Sequence, residues 1–174
     1  MYKCDEYLNT VLKYFGHSFD IKKDVHFEKF TADAFACFKC RNEKYILSQK
    51  ATLWGYEVNE YNFFFCRNFN SKEEFVSLRN SVLEEGLSLV KPNSKHMSSD
   101  INMIIISENI NEDIKKEIKK YKYTKTYRFN FYGRAYFQTS GINLTDKNIF
   151  CTYRNKEIKP FFEKAFGALG ETEK

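Results

Sequence analysis

The sequence predicts an α+β fold, antiparallel sheet packed under helices, on three observations. The first is the stretch Tyr121–Phe137, YKYTKTYRFNFYGRAYF, in which apolar and polar residues alternate. Its odd positions are almost all apolar, with Phe129 and Phe131 at the centre, and its even positions are polar, basic or phenolic. A period of two is that of a half-buried strand, because successive side chains point to opposite faces. The second observation is that the same alternation runs through residues 19–66. The third is that segments of helical period punctuate the strands without strict βαβ alternation, which places the chain among α+β folds. The order reads α-β-β-β-β-α then β-α-β-β-β-α. It hints at two similar lobes, residues 1–92 and 100–170, inside one domain over residues 1–170.

Each element has its own warrant. Tyr7, Leu8, Val11, Leu12 and Phe15 share one helical face, so residues 4–15 form an amphipathic helix. Strands follow at Phe19–Phe27 and at Ala32–Cys40. Arg41-Asn42-Glu43-Lys44 turns the chain into a third strand near Tyr45–Leu53, and Asn59-Glu60 turns it again toward Phe63-Phe64-Phe65. Ser71-Lys72-Glu73-Glu74 is a capping box, opening a helix that runs to about Val90. Residues 92–100 make the longest loop. Ile101–Ile106 is apolar on both faces, as befits a central strand covered on both sides. Asn111 caps a short helix with Glu112 and Asp113 at its positive end and Lys119 and Lys120 at its negative end. Tyr121–Phe137 is then one long strand, with Phe129 and Phe131 facing inward. Strands at Gln138–Thr145 and Ile149–Tyr153 lead to a closing helix that starts at Pro160.

Composition excludes two classes. With 43% hydrophobic and 29% charged residues and 18 Phe, the chain can bury a core and is not disordered. No apolar run approaches the roughly 20 residues of a spanning helix, and the N-terminus lacks the apolar block of a signal peptide. Cytoplasmic residence is the expectation. The net charge of +5 comes wholly from residues 101–174, and residues 115–134 hold eight basic residues against Glu117 alone.

Few motifs speak for chemistry. Cys37-Phe38-Lys39-Cys40 has the C-x-x-C spacing but lies on a strand, where residues three apart face opposite ways, so the five cysteines read as structural thiols. No nucleophile elbow, phosphate loop, dinucleotide fingerprint or zincin motif occurs. No catalytic, metal-binding or cofactor-binding residue is therefore assigned. Asp33, Glu43 and Lys50 are a faint match to the acid-and-lysine cluster of metal-dependent nucleases. His96, Ser98 and Asp100 form a candidate loop site, since histidine is the side chain that titrates near neutrality. The best surface candidate is the even face of the long strand, with Lys122, Arg128, Tyr132, Arg134 and Tyr136. Cations that hold phosphates beside rings that stack on bases are a mode of RNA recognition.

HMSS (96–99) before the isoleucine-rich strand, together with YGRAYF (132–137) and YRNKEIKPFF (153–162), resembles a group of small soluble bacterial proteins of unknown function. The resemblance covers the C-terminal half. It implies a bacterial, soluble origin and carries no activity or site residue. The reading that results is a non-enzymatic binding or regulatory domain that needs no cofactor or membrane and whose partner is another protein or a second copy. Binding of nucleic acid through residues 115–136 is the alternative, and a metal-dependent nuclease the weaker one.

Overall fold

In the computed structural model, which describes residues 3–40 and 56–172, the chain begins with α1 (Cys4–Phe15), β1 (Asp20–His26), β2 (Thr31–Cys40) and β3 (Glu57–Cys66). It continues with α2 (Lys72–Leu89), β4 (His96–Ser107), α3 (Glu112–Lys120), β5 (Tyr123–Thr126), β6 (Arg134–Asn143), β7 (Asn148–Cys151) and α4 (Lys159–Thr172). The strand expected at Tyr45–Leu53 and the turn at Arg41–Lys44 lie outside the described residues.

The described strands form one seven-stranded sheet in the order β1-β2-β3-β4-β6-β5, with β7 also paired to β6. The sheet is mixed, which corrects the antiparallel expectation: β3 runs parallel to β4, and β4 parallel to β6. The physical reason lies in the connections. β1-β2, β5-β6 and β6-β7 are joined by short links and pair antiparallel, whereas α2 carries the chain from β3 back over the sheet so that β4 starts beside the start of β3. The same holds for α3 and β5 between β4 and β6.

Helices cover both faces. Phe75, Leu78 and Val82 of α2 and Ile114 and Ile118 of α3 pack on Phe63, Phe65, Ile101, Met103 and Ile105. The opposite face, with Phe64, Ile104, Ile106 and Ile142, receives α1 and the Phe162 and Ala165 side of α4. β4 is therefore covered on both sides, as its composition predicts. The helix starts follow the sequence too: Ser71 Oγ accepts from the N–H of Glu74 at 3.2 Å, and Asn111 Oδ1 from that of Ile114 at 2.9 Å. Among the described residues no helix is long and apolar enough to cross a membrane.

The stretch Tyr121–Phe137 is not one strand. It is a hairpin, β5 pairing antiparallel with β6 from Tyr123↔Phe137 to Thr126↔Arg134. Residues 127–133 form its tip, closed by the N–H of Tyr127 on the carbonyl of Gly133 at 3.0 Å. Arg128, Phe129 and Asn130 have φ of 45°, 52° and 78°, and Gly133 of 74°, which reverses the chain direction. Ala135 and Phe137 point inward as expected, but Phe129 is 98% and Phe131 79% exposed. The inward placement of these two rings is thereby overturned, since at the tip no strand pairing holds the alternation to the core. Phe129→Ala is expected to move the urea unfolding free energy by less than about 0.5 kcal/mol, the usual range for an exposed position.

Candidate functional site

One cleft of about 470 Å³ opens on the α1 and α4 side of the sheet, toward the amino ends of β3, β4 and β6. Strand register builds its floor. Glu60 pairs with Asp100 and Asp100 with Tyr136, and one step on Asn62 pairs with Asn102 and Asn102 with Gln138. Residues paired across a sheet share a face. Three neighbouring strands thus place two rows of polar side chains where Phe64, Ile104 and Ile142 continue as core. The walls are aromatic: Tyr14 and Phe15 from the end of α1, Phe19 beyond it, and Phe161 from α4. Arg154 and Asn155, in the 3-10 stretch Tyr153–Ile158 that kinks at Asn155 ahead of α4, complete the rim.

Hydrogen bonds fix the floor in one arrangement. Asn62 Nδ2 donates to Glu60 Oε1 at 3.1 Å, and Asn102 Nδ2 donates both to that oxygen at 3.1 Å and to Asn62 Oδ1 at 2.8 Å. Gln138 Nε2 donates to Asp100 Oδ1 at 3.1 Å, where Arg154 Nε also pairs at 3.4 Å. Each amide faces a carboxylate with its nitrogen, so the orientation of all three is determined. Asn102 Oδ1 and Gln138 Oε1 are left buried with no partner, although their residues are only 2% and 5% exposed. Two such orphans at one place are unusual, for a buried acceptor without a donor costs roughly 1–3 kcal/mol.

Burial pushes the carboxyl of Glu60 above the usual range. The N–H donors of Asn62 and Asn102 pull it down, and the charge of Asp100 pushes it up. Among the described residues no ion pair is formed by Glu60. Arg154 serves Asp100 and lies with its guanidinium carbon 3.6 Å from the centre of the Tyr136 ring.

The residues singled out from sequence fall in different places. Asp100 lines the cleft. His96 does not: β4 begins at His96, and a register irregularity between Glu57 and Val58 leaves Met97 out of the ladder. His96 therefore faces away from Asp100 and lies buried beneath the hairpin tip. Its Nδ1 donates to the carbonyl of Tyr132 at 2.6 Å, and its Nε2 is 2.9 Å from Ser99 Oγ. It ties β4 to the tip. Ser98 pairs with Val58 and Arg134 in the ladder, away from the histidine ring. Of the surface candidates, Arg134 and Tyr136 lie on β6, Arg128 and Tyr132 in the tip, and Lys122 just before β5, where it is exposed.

The Asp33 carboxylate accepts the backbone N–H of Cys66 at 2.7 Å, while Glu43 and Lys50 lie outside the described residues. Burial raises the Cys37 and Cys151 thiols, and the hydrogen bond of the Cys66 thiol to Cys4 together with burial raises that of Cys66. Among the described residues no group of three or more His, Cys, Asp and Glu side chains is placed to hold a metal ion.

Sequence reading missed Glu60, Asn62, Asn102 and Gln138. Asn59-Glu60 has the composition of a turn, and the other three are single polar residues inside apolar strands. Asn102, alone between Ile101 and Met103, was the available signal, because a buried amide needs a partner.

A family model described as Domain of unknown function (DUF8052) matches residues 3–164, so the match extends well beyond the C-terminal half. Neither the curated proteins nor the solved structures contain a match to this chain.

Proposed function

We propose that this chain, which belongs to the DUF8052 family of unknown function, is a binding domain for a small organic cation, an amine or guanidine. The observation that carries the reading is Glu60: a half-buried carboxylate at the floor of a cleft, held by two amide N–H groups and, among the described residues, paired with no cation. A partly desolvated charge without an opposite charge carries a cost, and a ligand that brings one relieves it. The remaining features agree with it. The unpartnered groups of the floor are acceptors, so the matching ligand supplies donors. Tyr14, Phe15, Phe19 and Phe161 line the cleft, and aromatic rings attract cations. Asp100, adjacent in register, adds a second negative charge that Arg154 offsets in part.

Binding rather than turnover is the reading, because the converging groups are acceptors and none of the described cysteines or histidines lines the cleft. Calorimetric titration with a panel of primary amines, guanidines and their neutral isosteres tests it. A cation is expected to bind, and Glu60→Gln to weaken it at least about tenfold, the loss of one charge partner. The pH dependence has a fixed sign. The Glu60 pKa is raised, so ionising it opposes folding of the empty protein, and the cation favours the ionised form. Affinity should fall as pH drops through the raised Glu60 pKa, above the ordinary carboxylate range. Neutral isosteres that bind as well as the cations would refute the reading.

A further inference from the structure

The hairpin tip and the cleft are joined by a continuous surface. Arg134, Tyr136 and Gln138 alternate on one face of β6, so the strand leads from the tip to the cleft floor. β5 is the sheet edge on this side, and Thr124 and Thr126, register partners of Tyr136 and Arg134, are exposed beside them. Rings and cations alternate along this line. Arg154 stacks on Tyr136, and Arg128 lies with its guanidinium carbon 4.9 Å from the Tyr132 ring centre. The line ends in the two exposed rings of Phe129 and Phe131.

The cations of the tip are not spent on carboxylates. Arg128 donates to the Tyr132 hydroxyl at 2.9 Å and Arg134 to Asn130 Oδ1, both neutral acceptors. Farther along the strip, Arg154 pairs with Asp100 at 3.4 Å. The tip is also built rather than loose. The N–H groups of Tyr127, Phe131, Tyr132 and Gly133 are all bonded within it, and His96 holds it from below. Three consecutive non-glycine residues are kept at positive φ, a conformation that persists only where the surroundings enforce it and that clusters at functional sites.

We propose that this strip binds single-stranded nucleic acid, with Phe129 and Phe131 stacking on unpaired bases and Arg128, Arg134 and Lys122 holding phosphates. Guanidinium donors match phosphate oxygens, and an aromatic face accepts any base. An anionic bilayer would engage the tip alone and leave the Tyr136–Arg154 stack on the sheet flank unused. A flexible strand follows the whole line. The inference does not rest on the cation in the cleft: Lys122, Arg128, Phe129, Phe131 and Arg134, which it assigns to phosphates and bases, are not among the residues that line that cleft.

Fluorescence anisotropy with labelled oligo-dT and oligo-U of about 15 nucleotides tests it, at salt from about 50 to 200 mM. Binding is expected at low salt, with a log–log salt slope near −0.7 for each phosphate contacted. Arg128→Gln and Arg134→Gln should each flatten that slope. Phe129→Ala and Phe131→Ala should each weaken binding about five- to a hundredfold, and Phe129→Trp should restore it, the signature of stacking. Glu60→Gln should leave oligonucleotide affinity unchanged while weakening cation binding at least about tenfold, so the two sites fail separately. The proposal is overturned by no binding at about 50 μM protein, by affinity indifferent to both phenylalanines, or by capture on phosphatidylserine vesicles without oligonucleotide binding.

Discussion

Phe63→Ala is expected to lower the unfolding free energy by about 3–5 kcal/mol, the cost of deleting a buried aromatic ring and leaving its cavity. Phe63 is fully buried in β3. Its ring centre lies 5.3 Å from that of Phe27, 6.0 Å from Phe30 and 4.9 Å from Phe35. Aromatic pairs at such distances contribute beyond the area they bury. The cavity cannot close easily, because Phe35 is fixed by the pairing of β2 with β3, and Phe27 and Phe30 are the ends of the tight link between β1 and β2, closed by the N–H of Phe27 on the carbonyl of Phe30 at 2.8 Å. With a urea slope of about 2 kcal/mol/M, the midpoint should fall by roughly 2 M. Comparison with Phe129→Ala makes the experiment decisive. The chemistry deleted is identical, the burial is opposite, and equal effects would show that the sheet register is wrong.

How much of this was legible in the sequence follows from what each signal encodes. Helix period and caps are local, so α1, α2 and α3 were readable from Tyr7 to Phe15, Ser71 and Asn111. β4 was readable as a central strand because Ile101–Ile106 has no polar face. Strand direction was not, since a period of two is the same in parallel and antiparallel pairing; only the helix intervening between β3 and β4 bears on it. The hairpin tip was hidden for a related reason. Its phenylalanines continue the alternation of the arms, and the turn depends on Arg128, Phe129 and Asn130 at positive φ, a conformation that glycine usually marks. The cleft floor was hidden most deeply, because Glu60, Asp100 and Gln138 meet only once the register of three strands is known. Asp100 was chosen from sequence for its nearness to His96, and a skipped Met97 in the ladder sends the two to opposite faces.

Gly133→Ala is expected to cost roughly 2–5 kcal/mol, from left-handed backbone strain of about 1–2 kcal/mol and overpacking of about 1–3 kcal/mol. Gly133 sits at φ 74°, and a β-carbon there would lie 2.5 Å from the carbonyl oxygens of both His96 and Met97 and 2.7 Å from His96 Nδ1. Two of these three atoms are backbone, so no rotamer change relieves the contact. The glycine cannot retreat either, since its N–H donates to Asn130 O at 3.2 Å and its carbonyl receives Tyr127 N–H. Gly86 differs in kind, for there the three atoms nearest an added β-carbon all belong to the side chain of Ile101 and none to the backbone. Asparagine separates the two costs at position 133. It tolerates positive φ better than alanine, yet brings the same β-carbon toward His96 and Met97. If steric contact dominates, Gly133→Asn destabilises at least as much as Gly133→Ala in urea unfolding. A clear recovery of stability with asparagine would mean that the tip stands farther from β4 than the His96 contacts require.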